Sequence, residues 1–244
     1  MLMPESLLLT AARISTFGQQ QLLTTASGFF FQRGQRLFLV TSRHVMVDEP
    51  SHHHPDSIEI ELHTNAADLA ESTGYRIMLY RHGRPMWRQG RDASGEVDVA
   101  VLEIDRSALP ANTLYRAFGV HNLAGAEQPV EIGSALLVVG FPLGFHDTLH
   151  HMPVVRQAVM ASSFGLRFKG EGYFLTDARI HRGTSGAPVV MRMAGLPQQD
   201  EYLPWLLLGI HSARLDVCNR DEQQDEALGL NCAWYADILL SLTD

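Results

Sequence analysis

The chain has 244 residues, 45% hydrophobic and 19% charged, a globular composition that excludes disorder and fibres and suffices for a sizeable core. Its net charge of -8 sets 27 acidic residues against 18 arginines and a single lysine, Lys169, with no basic run, so neither nucleic acid nor an anionic membrane is an expected partner. No apolar stretch approaches the roughly 20 residues of a membrane span. The N-terminal Met1-Leu2-Met3-Pro4-Glu5-Ser6 lacks the basic start of an export signal. A cytoplasmic location is expected, an exported mature form being left open, and two cysteines, Cys218 and Cys232, fit a reducing compartment.

In chain order, short apolar or alternating runs broken by Gly, Pro, Asp and Asn predict strands at 8–15, 28–32, 37–41, 58–63, 76–80, 98–104, 134–140, 154–162, 172–176, 187–191, 205–212 and 228–234. Arg33-Gly34 predicts a tight hairpin turn. Phe29, Phe30 and Phe31 alternate across a strand and read as barrel core. Segments 47–57, 89–96 and 215–227 read as loops, and 236–240 as a short helix with Asp237 near its start. No crossover helices separate the strands, which disfavours parallel α/β architecture. The expected fold is all-β: two six-stranded antiparallel β-barrels with a short C-terminal helix. They form a single domain over 1–244, the N-terminal barrel in 1–115 and the C-terminal barrel in 116–244.

Three segments carry chemistry. Gly183-Thr184-Ser185-Gly186-Ala187-Pro188 sets a serine among small residues, where a substrate carbonyl can approach and the N–H groups of Gly183 and Ser185 can converge as an oxyanion hole. Alone, it reads more readily as an ordinary Gly-Ser turn before a strand. In Leu37–Val45 an apolar strand delivers His44, and imidazole titrates where a serine hydroxyl needs a base. With 12 histidines in the chain, a single one carries little weight. Asp98 opens an otherwise apolar strand, and a buried carboxylate can fix an imidazole tautomer, although alone it reads as a turn residue.

Their order, His then Asp then Ser, each at a strand edge, resembles the chymotrypsin-like (trypsin-like) serine protease superfamily, closest to its bacterial HtrA-type and glutamyl-endopeptidase-like members. Thr41-Ser42-Arg43-His44-Val45 is similar to the histidine motif, Asp98-Val99-Ala100-Val101-Leu102 to the aspartate strand, and Thr176–Pro188 to the serine motif. Val139-Gly140-Phe141-Pro142-Leu143-Gly144 is similar to a turn of HtrA-type domains, and the resemblance runs from about residue 27 to 240. It implies a serine endopeptidase with Ser185 as nucleophile, His44 as general base, Asp98 orienting His44, and Gly183 and Ser185 as oxyanion donors. Protein or peptide is the expected substrate, and neither cofactor nor metal is expected. Thr184 and Ala187 replace commoner Asn and Gly, and His181-Arg182 is an unusual lead-in to the oxyanion loop.

Gly209-Ile210-His211-Ser212-Ala213 resembles the strand lining the primary specificity pocket. The resemblance implies that His211 offers an imidazole to a P1 Glu, Asp or Gln side chain; Ser212, Ala213, Arg214, Arg179 and Ile180 are read as further substrate-binding residues, the two arginines supporting an acidic P1 if they point inward and being ordinary solvated residues if they point outward. Arg214 stands where the family has Gly, and Asp177 is set aside as a specificity determinant. His52-His53-His54 and His150-His151 read as solvated loop, since adjacent residues on an extended strand point to opposite faces and no carboxylate or Cys lies at a ligand spacing. Cys218 and Cys232 are expected as free thiols, or as a hairpin disulfide if the protein is exported. With no room for a PDZ domain and no evident propeptide, strict specificity or activation by a regulatory partner is expected. The alternative is a catalytically latent protease-fold protein that binds protein segments.

Overall fold

The apolar runs become strands wherever a face can be buried. A computed structural model describes residues 5–92, 95–125, 129–193, 203–214 and 229–244, with 213 and 214 as backbone alone. The first half holds β1 (Ala11–Gly18), β2 (Gln21–Arg33), β3 (Arg36–Thr41), α1 (Arg43–Met46), β4 (Ser57–His63), β5 (Ser72–Met78), β6 (Tyr80–Arg81), β7 (Arg84–Pro85), β8 (Trp87–Asp92), β9 (Gly95–Ile104) and β10 (Phe118–Gly119). The second holds β11 (Ala135–Gly140), β12 (Val154–Met160), β13 (Tyr173–Asp177), β14 (Pro188–Arg192), β15 (Trp205–Arg214), β16 (Leu230–Tyr235) and the C-terminal α2 (Leu239–Leu242).

Strands β11-β12-β13-β16-β15-β14 close into the expected antiparallel six-stranded barrel. The first half is a barrel-like sheet of eight strands rather than six, in the order β5-β4-β1-β2-β3-β9-β8 with β10 parallel to β2. The extra pairing has a local cause. Most of the expected loop at 89–96 is instead strand, Arg91 pairing with Glu96 and Asp92 with Gly95, while 93 and 94 lie outside the described residues. Its charged residues are held by backbone hydrogen bonds and not by an apolar face. Strand β2 begins at Gln21 rather than 28 for the same reason, its exposed first turn being tied to β1 by Thr16 and Thr24, whose hydroxyls lie 3.0 Å apart.

The three phenylalanines show how the halves are joined. Phe30 packs inside the first sheet with Ile14, Leu39, Ile58 and Leu102. Phe29 and Phe31 point the other way, into a core shared with Val139, Val190, Leu207 and Leu239 of the second half. A separate cluster around Leu136, Phe174 and Val189 fills the closed barrel. Each buried phenylalanine contributes about 1.5–3 kcal/mol of transfer free energy, so the seam between the halves is itself a hydrophobic core. No helix among the described residues is long and apolar enough to cross a membrane.

Candidate active site

The seam brings together the ends of elements from both halves. Strand β3 ends at Thr41, Ser42 is extended, and α1 follows with His44 in its first turn. The Ser42 hydroxyl donates to the His211 carbonyl of β15 at 3.2 Å instead of capping α1. Asp98 lies on β9, which pairs with β3 and so stands beside α1.

The Asp98 carboxylate collects donors. The His44 backbone N–H donates to Oδ1 at 2.9 Å, His44 Nδ1 lies 2.7 Å from Oδ2, and the Ser212 hydroxyl donates to Oδ2 as well. Burial pushes the Asp98 carboxyl upward, but the hydrogen bond and charge of His44, with Ser212, outweigh it and hold Asp98 below its ordinary value. For His44, burial is the largest single influence and works downward, yet the bond to Asp98 and its charge together leave the imidazole above its ordinary value. The pair is a carboxylate that fixes one ring nitrogen as donor and leaves the other, Nε2, free to take a proton.

Ser185 occupies a tight turn between β13 and β14. Gly186 has φ +85°, and a Cβ there would meet Thr41 Oγ1 at 2.2 Å and the Ser27 carbonyl at 2.3 Å. Only glycine lets the turn press against the end of β3, just before the segment that carries His44. The Ser185 hydroxyl donates to the Ser212 carbonyl at 3.1 Å, and among the described residues it makes no hydrogen bond to His44.

Within this turn Thr184 N–H donates to the His181 carbonyl at 3.4 Å, Gly186 N–H to His211 at 2.8 Å and Ala187 N–H to Thr184 at 2.9 Å. The N–H groups of Gly183 and Ser185 find no acceptor among the described residues. The Arg182 carbonyl accepts from Leu143 N–H at 2.6 Å, and in a planar trans peptide this aims the Gly183 N–H the opposite way. Gly183 itself has φ +88°, and a Cβ there would meet Leu143 N and the Phe141 carbonyl, each at 2.8 Å. The His181 carbonyl also accepts from the Thr184 hydroxyl at 2.9 Å, so the unusual lead-in anchors the turn.

Sequence reasoning missed Ser27. Buried in β2, its hydroxyl donates to the Gly183 carbonyl at 2.8 Å and accepts from Phe141 N–H at 2.9 Å, while its own N–H donates to the Ser185 carbonyl at 3.0 Å. One side chain thus ties β2 to the Ser185 turn and to the loop after β11. Its only signal in the sequence is a Ser-Gly pair opening an apolar strand.

Of the pocket residues, His211 is buried beside the Ser185 turn, and its Nδ1 has no hydrogen-bond partner among the described residues. Burial, and the nearby His44, push its imidazole down to about 4 against a smaller upward pull from Asp98. Ser212 joins the Asp98 cluster. Arg179 is exposed and Ile180 sits in the core of the closed barrel. Asp177, also exposed, brings no buried charge to the site. Arg214 pairs with Asn231 through the backbone, and its side chain and that of Ala213 lie outside the described residues. Cys218 lies outside them too, whereas the half-buried Cys232 has its thiol pushed up to about 12 by burial and by Glu171, which makes it a poor nucleophile.

Residues 26–195 match the model of a family described as the trypsin-like peptidase domain. No curated protein sequence matches the chain. Among solved structures, the active form of the Rv3671c protease from M. tuberculosis aligns with a TM-score of 0.52 at 15% identity, over 96% of this chain and 79% of that one. The serine endoprotease from Yersinia pestis aligns at 0.55 and 17% identity, over 97% of this chain and 62% of that one. Identities this low speak to the fold alone.

Proposed function

The chain belongs to the family of trypsin-like peptidase domains, and we propose that it works there as a serine endopeptidase with Ser185 as nucleophile, His44 as general base and Asp98 as the orienting carboxylate. The observation that carries this reading is the His44–Asp98 pair at 2.7 Å, linked to Ser185 through both polar ends of Ser212. In the first step Ser185 Oγ bonds to the scissile carbonyl carbon while its proton passes to His44 Nε2. The C–N bond then breaks and the leaving amine takes that proton. Water, activated by the same imidazole, hydrolyses the acyl-enzyme and restores Ser185. The unpartnered N–H groups of Gly183 and Ser185 stabilise the oxyanion, and Asp98 balances the transient imidazolium.

The same reading assigns His211 to P1 recognition. A neutral buried imidazole carries one N–H donor, which suits a carboxylate or an amide oxygen and gains nothing from an aliphatic side chain. P1 Glu, Asp or Gln is therefore proposed.

A second reading, latency, draws on one observation: the Ser185 hydroxyl is turned to the Ser212 carbonyl and not to His44. In that reading a partner, or a strictly matched substrate, must reorient Ser185 before turnover. Labelling with a fluorophosphonate separates the two. Covalent labelling of the wild type but not of Ser185→Ala supports the peptidase, and a folded wild-type protein that resists labelling supports latency.

A further inference from the structure

The loop 141–153, which joins β11 to β12, carries two histidines toward a glutamate of the other half. His146, His151 and Glu61 of β4 each offer a ligand atom, and these atoms lie within 4.8 Å of one another. The loop is folded back on itself by Asp147, whose N–H donates to the Met152 carbonyl at 3.0 Å, and this sets the two imidazoles 6.4 Å apart, centroid to centroid. The buried His151 Nδ1 makes no aligned hydrogen bond among the described residues, although Glu61 Oε1 lies 2.8 Å away; Glu61 Oε2 makes none either and has the Arg13 guanidinium 2.9 Å away as an ion-pair partner.

The surroundings orient these groups as an outer shell would. His146 Nδ1 lies 2.6 Å from the Gly144 carbonyl, which makes it the donor nitrogen and leaves Nε2 with its lone pair. Arg13 stands 2.9 Å from Glu61 Oε2 and the Ser72 hydroxyl donates to Oε1 at 2.9 Å, so the carboxylate is fixed from behind. Two imidazoles and one carboxylate are a donor set for zinc and not for magnesium or calcium, which take oxygen shells. A tetrahedral zinc with bonds of about 2.0–2.1 Å holds its ligand atoms about 3.3 Å apart, so the three donors, within 4.8 Å of one another, need only small side-chain adjustments to close on an ion.

We infer that Glu61, His146 and His151 form a zinc site that clamps the loop 141–153 of the second half to β4 of the first. Sequence spacing could not reveal it, because the carboxylate comes from a strand more than 80 residues earlier. The clamp has a consequence that rests on the peptidase reading. Leu143 in this loop donates to the Arg182 carbonyl at 2.6 Å, so zinc stiffens the support of the oxyanion turn.

The test is calorimetric titration of the full chain with zinc chloride, comparing wild type with His146→Ala and His151→Ala, each shown to be folded by circular dichroism. The expected result is one zinc per wild-type chain whose binding weakens about 100-fold or more in either folded variant, and slowed hydrogen exchange of amides 143–152 when zinc is present. No zinc bound, or equal binding by wild type and variants as exposed histidines such as His52 and His54 would give, overturns the site. Unchanged exchange with zinc bound overturns the clamp. Neither readout depends on peptidase activity, so the site can fail while the peptidase stands, or the reverse.

Discussion

At His44 two opposing influences meet, burial lowering the imidazole pKa and Asp98 raising it, and Asp98 wins. In the proposed mechanism His44 must be neutral to act as base, so kcat/KM should rise with pH through a value above 6.5 and fall as His44 is protonated below it. Asp98→Asn removes the upward influence and leaves burial unopposed. The acid limb should then move to lower pH, while the plateau falls by about 10⁴-fold because the wrong tautomer is held. A pH–rate profile of both proteins checks this. Ser27→Ala takes a donor from the Gly183 carbonyl and an acceptor from Phe141 N–H, leaving two buried groups unpaired at about 1–3 kcal/mol each. It should lower kcat more than it raises KM, and steady-state kinetics on a folded variant reads the split. His44, Asp98 and Ser185 were legible in the sequence through short local motifs, although Asp98 lies inside β9 and not at the start of its strand. Ser27 was not, since its partners lie 114 and 156 residues away in the chain.

The Ser185 turn and β15 govern how the site is held at the scale of elements. Gly186→Ala places a Cβ against Thr41 and Ser27 in a left-handed backbone, and should destabilise the fold by about 3 kcal/mol or more, as urea unfolding will show. On β15 the buried His211 is neutral in the folded chain down to about pH 4, whereas unfolded imidazole protonates at 6.5. Its folded pKa is depressed, so its share of stability is present above 6.5 and is lost as pH falls toward 4, up to about 3 kcal/mol. His211→Asn should flatten that loss, measured by unfolding at pH values on either side. Elements with apolar alternation were readable from sequence. The 87–104 hairpin and the early part of β2 were not, because polar residues there are ordered by backbone pairing that no side-chain pattern announces.

For the whole molecule the decisive feature is the core at the seam, where Phe29 and Phe31 of the first half meet Leu207 and Leu239 of the second. The C-terminal segment reinforces it from outside. Arg88 donates to the Asp244 carbonyl at 2.7 Å and Arg33 to its side chain at 2.8 Å. The halves should therefore unfold in one transition, and Leu239→Ala should lower its free energy by about 2–5 kcal/mol. Fluorescence of Trp87 in the first half and of Trp205 in the second, each followed in a chain where the other tryptophans are replaced by Phe, should give coincident curves; separated curves would show two independent units. The all-β, two-part plan was legible in the strand pattern. The seam was not, since an uninterrupted apolar run such as Phe29-Phe30-Phe31 shows that both faces of its strand are apolar without showing what covers each.

The central claim, a peptidase working through Ser185 with His211 reading P1, meets its most direct test in the digestion of a diverse peptide library by wild type and Ser185→Ala in parallel, read by mass spectrometry. The account predicts cuts that require Ser185 and cluster after Glu, Asp or Gln, with His211→Ala relaxing the preference. A folded wild-type protein giving no cut that Ser185→Ala lacks would contradict the peptidase, and Ser185-dependent cuts after basic or aliphatic residues would contradict the assignment of His211.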